Sequence, residues 1–232
     1  MRKTPAQFQQ KLQRDLAILR EETRDHPDNA RWWFYLGQTL EGLAQSSPHA
    51  PREEMPAAQT DVHLVAPARD GESTRSAADH HAERDGYFEQ AAEAYERCAR
   101  LRGWDEEGAW GAYKAASCLC ELKRFREATE LCALGLTRHS GFPELAWLAG
   151  YCCYQLGRLR DAVNWSHLAI SLGHVEGRSV GADRISFRHL PGWYEAPYDV
   201  LRYAYQKLGQ PVVTAEFERK FEEAKRKRSQ LA

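Results

Sequence analysis

The sequence lacks the features that would place it quickly in a class. No apolar run reaches the roughly 18 residues that a membrane span needs, and Met1 to Pro5 lead into glutamines and charges rather than the apolar core of a secretory signal. An excess of one charge sign is also absent, because 32 Lys and Arg residues balance 33 Asp and Glu residues. These absences disfavour a membrane span and a general attraction to nucleic acid. They predict a cytoplasmic protein.

Motifs for catalysis are missing as well. The segment from Gly177 to Gly181 contains no lysine followed by Ser or Thr, so it does not match a phosphate-binding loop. The sequence has no Asp-x-Asp metal motif, and the histidines outside the proline-rich segment lack a partner at ligand spacing such as H-x-x-x-H. We therefore predict a protein that is not an enzyme, with no catalytic residue, metal site or cofactor.

Six cysteines are present, and all fall within helical patterns. Two short motifs, Cys118-x-Cys120 and Cys152-Cys153, point their side chains in different directions around a helix, which is poor geometry for binding one metal ion. The patterns favour reduced cysteines that are buried as small apolar residues. The remaining alternatives are metal binding and a reactive thiol.

A six-residue motif occurs twice in the sequence. Lys-Arg-Phe-Arg-Glu-Ala at 123–128 is repeated as Gly-Arg-Leu-Arg-Asp-Ala at 157–162, which is 34 residues further on, and a weaker copy lies at 86–91. This period is typical of a helix-turn-helix solenoid, in which stacked helix pairs bury a continuous core. The sequence thus predicts a single all-α domain over 1–232, a right-handed superhelix of about four helix pairs preceded by one N-terminal helix.

Glycine and proline mark the expected joints between helices. The helices predicted after the first repeat span 106–122, 125–138, 143–156, 159–172, 195–208 and 211–227. Two segments interrupt the pattern. Residues 45–85 are rich in proline and polar residues, which predicts a disordered insertion within the first repeat, and residues 174–192 predict an irregular loop before the last helix pair.

Two patterns resemble the tetratricopeptide repeat signature. They are Trp33-x-x-Leu36-Gly37-x-x-Leu40 and, beyond the insertion, Ala91-x-x-x-Tyr95. The resemblance implies that small residues stand where the two helices of a pair approach closely. In the second and third repeats these are Ala115, Ala116, Ala128, Ala149, Gly150, Ala162 and Ala169.

A narrower resemblance is carried by three segments in order, 28–38, 103–107 and 193–201. Together they are similar to the repeat region attached to bacterial family 2 glycosyltransferases. In such proteins the sugar chemistry lies in a separate nucleotide-sugar domain. The resemblance therefore implies a binding module that serves glycosyl transfer, or one that has lost that link.

The repeat register also predicts a binding groove. Aligning the repeats on Gly37, Ala116, Gly150 and Arg202 places one set of first-helix side chains on the concave face. The candidate partner-binding residues are Arg31, Phe34, Gln38, Trp110, Tyr113, Trp147, Tyr151, Tyr154, Tyr203 and Lys207. Aromatic side chains supply large contact area at low entropic cost, which suits recognition. The alternative is that they pack on the first helix, the last helix or the long insertion folded back into the groove.

These patterns favour a non-catalytic scaffold that binds a protein or peptide partner in an aromatic groove. The narrower resemblance suggests a glycosyltransferase as that partner. The alternative from another class is an accessory or catalytic fragment of a glycosyltransferase that contacts a sugar nucleotide directly. A third alternative is self-assembly through exposed end repeats.

Overall fold

A computed structural model describes residues 5–46, 73–173 and 187–230, and every regular element in those ranges is helical. The helices are α1 (Pro5–Asp25), α2 (Ala30–Gln45), α3 (Ser73–Arg100), α4 (Asp105–Glu121), α5 (Phe125–Arg138), α6 (Pro143–Gln155), α7 (Leu159–Gly173), α8 (Leu190–Trp193), α9 (Ala196–Lys207) and α10 (Pro211–Ser229). The predicted all-α fold is confirmed. From α4 onwards, the predicted helix ends are correct to within two residues.

The helices form four pairs, α2 with α3, α4 with α5, α6 with α7, and α9 with α10, and each packs mainly on its neighbours in sequence. Helix α1 covers the start of the stack with the apolar stripe of Leu12, Leu16 and Leu19, which are buried. Phe8, the first residue of that stripe, is 44% exposed. This sequential packing is the arrangement of a helical solenoid.

The twice-occurring motif begins at the turn between paired helices. Gly157 has a φ of 73°, and Lys123, which is its equivalent in the preceding repeat, has a φ of 57°. This left-handed conformation lets Arg124 N–H and Arg158 N–H donate back to the carbonyls of Leu119 and Cys153, each at 2.8 Å. Such bonds close the end of a helix. The repeat in the sequence is therefore a repeated helix-terminating turn.

Small residues lie where paired helices cross. A Cβ atom on Gly37 would lie 2.8 Å from the ring of Tyr95, and one on Gly150 would lie 2.8 Å from the Ser166 hydroxyl. The predicted alanines in the second and third repeats are all 0–1% exposed. Burial at these positions confirms that the resemblance identified the close-packing residues.

Helix α3 begins earlier than the sequence suggested. The prediction of disorder through residue 85 is wrong from Ser73 onwards, and it is wrong at Gln45, which ends α2. The segment before 85 contains Ala77, Ala78 and Ala82 among charged residues, a composition with high helix propensity. Arg84 in this segment also forms an ion pair of 2.7 Å with Glu121 of α4. The remainder of the predicted insertion, 47–72, lies outside the described residues.

The second irregular segment is also more ordered at its end than predicted. Its first part, 174–186, lies outside the described residues. Residues 187–189 are non-helical, His189 has an extended backbone (φ −107°, ψ 93°), and α8 follows as one short helical turn. This stretch crosses the concave face of the solenoid before the chain enters α9.

Candidate functional site

A cavity of about 700 Å³ lies on the concave face. First helices of the repeats form one wall, and α10 and residues 187–193 close the other side. Four of the predicted aromatic residues line it: Trp110, Tyr113, Trp147 and Tyr151. Its volume falls within the roughly 300–1,000 Å³ that is common for ligand sites. Four of the ten predicted residues therefore lie on one wall of the cavity.

Residues 187–193, which we call the strap, fill part of the groove. The ring of Phe187 stacks on Trp110 with centroids 5.8 Å apart and planes inclined by 12°. The ring of His189 stacks on Trp147 at 5.2 Å and 14°. Phe187 also contacts Phe34, with centroids 5.9 Å apart. Successive repeats thus each present a ring to the strap.

Two buried carboxylates hold the strap backbone. Glu106 of α4 accepts a hydrogen bond from Phe187 N–H at 3.1 Å, and Glu144 of α6 accepts one from His189 N–H at 3.0 Å. The indole N–H of Trp193 donates to the same Glu144 oxygen. Burial strengthens both hydrogen bonds, because the local dielectric is low.

Burial shifts the two titratable groups at the centre of this contact in opposite directions. The pKa of Glu144 is raised to about 7 by desolvation, against the hydrogen bonds from His189 and Trp193. Desolvation also lowers the pKa of His189 to about 4, and the charges of Lys114 and Arg228 add to that shift. His189 is therefore neutral at pH 7. Among the described residues, neither Glu144 Oε2 nor His189 Nδ1 has a hydrogen-bond partner.

The predicted groove residues separate into different environments. Phe34, Tyr113 and Trp147 are buried, at 5%, 4% and 6% exposure, whereas Trp110 and Tyr151 remain partly exposed. The predicted alternative of packing against the chain itself describes the buried three. The segment that covers them is the strap, however, and not one of the three segments that the sequence suggested.

The outer members of the predicted set lie away from the cavity. Tyr154 and Tyr203 contact each other with centroids 6.5 Å apart, and the Lys207 ammonium lies 4.1 Å from the Tyr154 ring centroid. Arg31 pairs with Glu107 at 3.3 Å, and Gln38 is exposed on α2. None of these five lines the cavity.

Most of the charged residues of the cavity were missed by sequence reasoning. Its lining includes the cations Lys114, Arg188, Lys225 and Arg228, and the carboxylates Glu41, Glu121, Glu195 and Asp199. Each of these carboxylates is ion-paired, to Lys114, Arg84, Arg228 and Arg202 respectively, at 2.6–2.7 Å. Three of these pairs join residues far apart in the sequence, so no local pattern indicates them, whereas Asp199 and Arg202 lie about one turn apart on α9.

The described residues offer little for metal chemistry. Within 5–46, 73–173 and 187–230, no group of three or more His, Cys, Asp or Glu side chains is placed to hold a metal ion. All six cysteines are buried and free, and the Cys120 and Cys152 sulfur atoms lie 3.4 Å apart. Burial raises the pKa of Cys98 to about 12 and that of Cys153 to about 11, so both thiols are protonated at neutral pH.

Comparison with known proteins identifies the fold. The crystal structure of MamA resembles this chain with a TM-score of 0.59 over 99% of each chain, at 12% sequence identity. The chain is a tetratricopeptide-like helical solenoid. No protein-family model matches the sequence, and no curated protein matches it. No helix in the described part of the chain is long and apolar enough to cross a bilayer.

Proposed function

We propose that this protein is a non-catalytic scaffold that holds an extended segment of a partner protein in its concave groove. The observation that supports this most directly is the strap itself. It shows that the groove accommodates an extended chain, accepts hydrogen bonds from that chain's backbone and stacks rings on its side chains. These are the components of peptide recognition, in which backbone bonds give affinity and side-chain contacts give specificity.

The chemistry of the cavity also favours binding over catalysis. Its carboxylates are engaged in ion pairs, and its remaining wall is largely aromatic. A catalytic nucleophile needs a lowered pKa or an adjacent base, whereas the pKa of Cys118 and that of Cys132 are both raised well above the usual value by burial. The groove is therefore suited to contacting and orienting a bound chain, and not to reacting with it.

A glycosyltransferase is the first partner to test, in the cytoplasm of a bacterium. Each of the three segments that resemble the repeat region of family 2 glycosyltransferases includes one residue of this contact: Phe34 and Glu106 on the groove side, and Trp193 in the strap. The resembling segments therefore include residues that form the groove contact. Their place in the groove contact supports a shared mode of binding.

A site-specific photo-cross-linker tests the proposal in cells. Benzoylphenylalanine in place of Tyr151, which lines the cavity, should give a covalent adduct with a partner protein. The matched control replaces Leu168, which is 39% exposed on α7 and does not line the cavity. Mass spectrometry then identifies the adducts. Identical adducts from both positions would refute groove binding, and a groove-specific partner other than a glycosyltransferase would refute only the choice of partner.

A further inference from the structure

We propose that the groove recognises an extended peptide with aromatic rings two residues apart, and that the strap competes with this peptide for the same site. The inference rests on the proposed function and deepens it, because it states the chemistry of the partner. Residues 187–189 form the non-helical part of the strap, and their contacts show which features of a chain the groove binds.

Two helices of the groove carry the same pair of groups. In α4, Glu106 and Trp110 lie one helical turn apart, and in α6, Glu144 and Trp147 do the same. In each helix the carboxylate accepts the backbone N–H of one strap residue, while the indole stacks on that residue's own ring. Each pair is thus a receptor for one aromatic residue of an extended chain.

The spacing of the two receptors fixes the spacing of the rings. In an extended chain, residues i and i+2 face the same side and the intervening residue faces the other. Phe187 and His189 both stack on rings of the first helices, whereas Arg188 between them is more exposed, borders the cavity and lies over the ring of Trp193, at 5.1 Å. The backbone bonds are available to any residue other than proline. The groove therefore selects two rings at this spacing.

The strap is an imperfect ligand at its second position. Its imidazole leaves Nδ1 of His189 buried without a hydrogen-bond partner among the described residues. A buried polar atom without a hydrogen-bond partner loses its hydration without compensation. A phenylalanine ring at that position offers the same stacking surface to Trp147 without that loss. A partner with the pattern aromatic-x-aromatic should accordingly displace the strap.

Fluorescence anisotropy with labelled peptides tests the inference. The probes are the nine-residue strap peptide FRHLPGWYE (residues 187–195), the version with phenylalanine at its third position, and a version with alanine at its first and third positions. The protein is the full chain, either wild type or with both Phe187→Ala and His189→Ala. The Leu190→Ala chain is a matched control, because Leu190 is 39% exposed within the strap.

We expect the double variant to bind both ring-bearing peptides, with the phenylalanine version at least threefold tighter and the alanine version at least tenfold weaker. Wild type and Leu190→Ala should bind at least tenfold more weakly than the double variant, because only the fraction of molecules with an open groove is competent. Equal binding of the alanine peptide would overturn the inference, as would no binding of any peptide. Dimers that exchange straps, detected by light scattering, would overturn competition within one chain.

A second variant guards against loss of folding in the double variant. A Cβ atom on Gly192 would lie 3.1 Å from Glu144 Cγ and 3.3 Å from the Trp147 ring. Gly192→Ala should therefore loosen the strap without replacing any residue of the two receptor pairs, and it should strengthen peptide binding over wild type. If Tyr151 cross-links a partner but no peptide binds, the ring pattern is wrong and the scaffold function stands. If Tyr151 cross-links nothing, the scaffold function itself fails.

Discussion

At the scale of single residues, the centre of the groove is held by two groups whose titrations oppose each other. Glu144 is 0% exposed and its pKa is raised to about 7, while burial lowers the pKa of His189 to about 4. Lowering the pH reduces the free energy of unfolding through His189, because this residue takes up a proton in the unfolded chain while the buried ring stays neutral in the folded protein. Raising the pH reduces the free energy of unfolding through Glu144, because this residue loses its proton in the unfolded chain while the buried carboxyl group keeps it in the folded protein.

In wild type these two effects of pH on the free energy of unfolding largely cancel. Replacing one of the two residues should reveal the effect of the other. From pH 4.5 to 7, Glu144→Gln should gain up to about 3 kcal/mol of unfolding free energy relative to wild type. From pH 6.5 down to 4, His189→Phe should gain in the same way, by somewhat less because that ring is partly exposed. Urea unfolding at several pH values measures both. Parallel pH profiles for wild type and the variants would contradict the opposing shifts.

The turn at Lys123 provides a second residue-scale prediction. Its φ of 57° is costly for a side chain other than glycine, and Lys123 is exposed. Lys123→Gly should therefore stabilise the protein by about 0.5–1 kcal/mol, after the greater entropy of glycine in the unfolded chain is deducted. The reciprocal change, Gly157→Lys, should cost a similar amount, since a Cβ there meets nothing within 4 Å. Thermal unfolding decides the sign, and destabilisation by Lys123→Gly would be the contrary result.

At the scale of elements, helix pairs depend on how closely their axes approach. Gly37 of α2 lies against Tyr95 of α3, and this ring is 0% exposed and donates its hydroxyl to Glu41 at 2.8 Å. The tyrosine therefore cannot move aside without breaking a partly buried hydrogen bond. The first repeat owes its geometry to this contact, because the ring fills the space that a larger residue at 37 would need.

Two glycine-to-alanine changes should have opposite signs. A Cβ on Gly37 would lie 2.8 Å from the Tyr95 ring, so Gly37→Ala should destabilise the fold by about 1–3 kcal/mol. A Cβ on Gly86 of α3 would meet nothing within 4 Å, so Gly86→Ala should gain about 0.5–1 kcal/mol of helix propensity. Chemical unfolding of the two variants compares them directly. Stabilisation by both would mean that the crossing at Gly37 is looser than described.

Sequence reasoning succeeded for elements whose signals are local. The helix ends between 105 and 173 follow glycine and proline punctuation, and the small residues at helix crossings follow the repeat register. The strap was missed because its contacts are distant in sequence: Phe187 and Glu106 are 81 residues apart. Seven residues without periodicity gave no indication of where they would dock. The cavity ion pairs, such as Lys114 with Glu41 at a separation of 73, were missed for the same reason.

At the scale of the whole molecule, the solenoid combines a rigid frame with a groove that it fills in part. The frame comes from stacked helix pairs, while the strap joins the third pair to the fourth and places Phe187 and His189 over rings of the second and third. A protein built in this way should bind its partner more weakly than its bare groove would, because opening the strap reduces the competent fraction. The concentration of the partner and the stability of the closed strap would together determine the fraction of grooves that hold a partner.

The most direct measurement of this account is the yield of partner adduct from benzoylphenylalanine at position 151, in the wild-type background and in the chain with both Phe187→Ala and His189→Ala. The account predicts an adduct in both backgrounds, with a yield several-fold higher when the strap rings are removed, and none from position 168 in either. An adduct yield that is unchanged or lower after removal of the strap rings would contradict it.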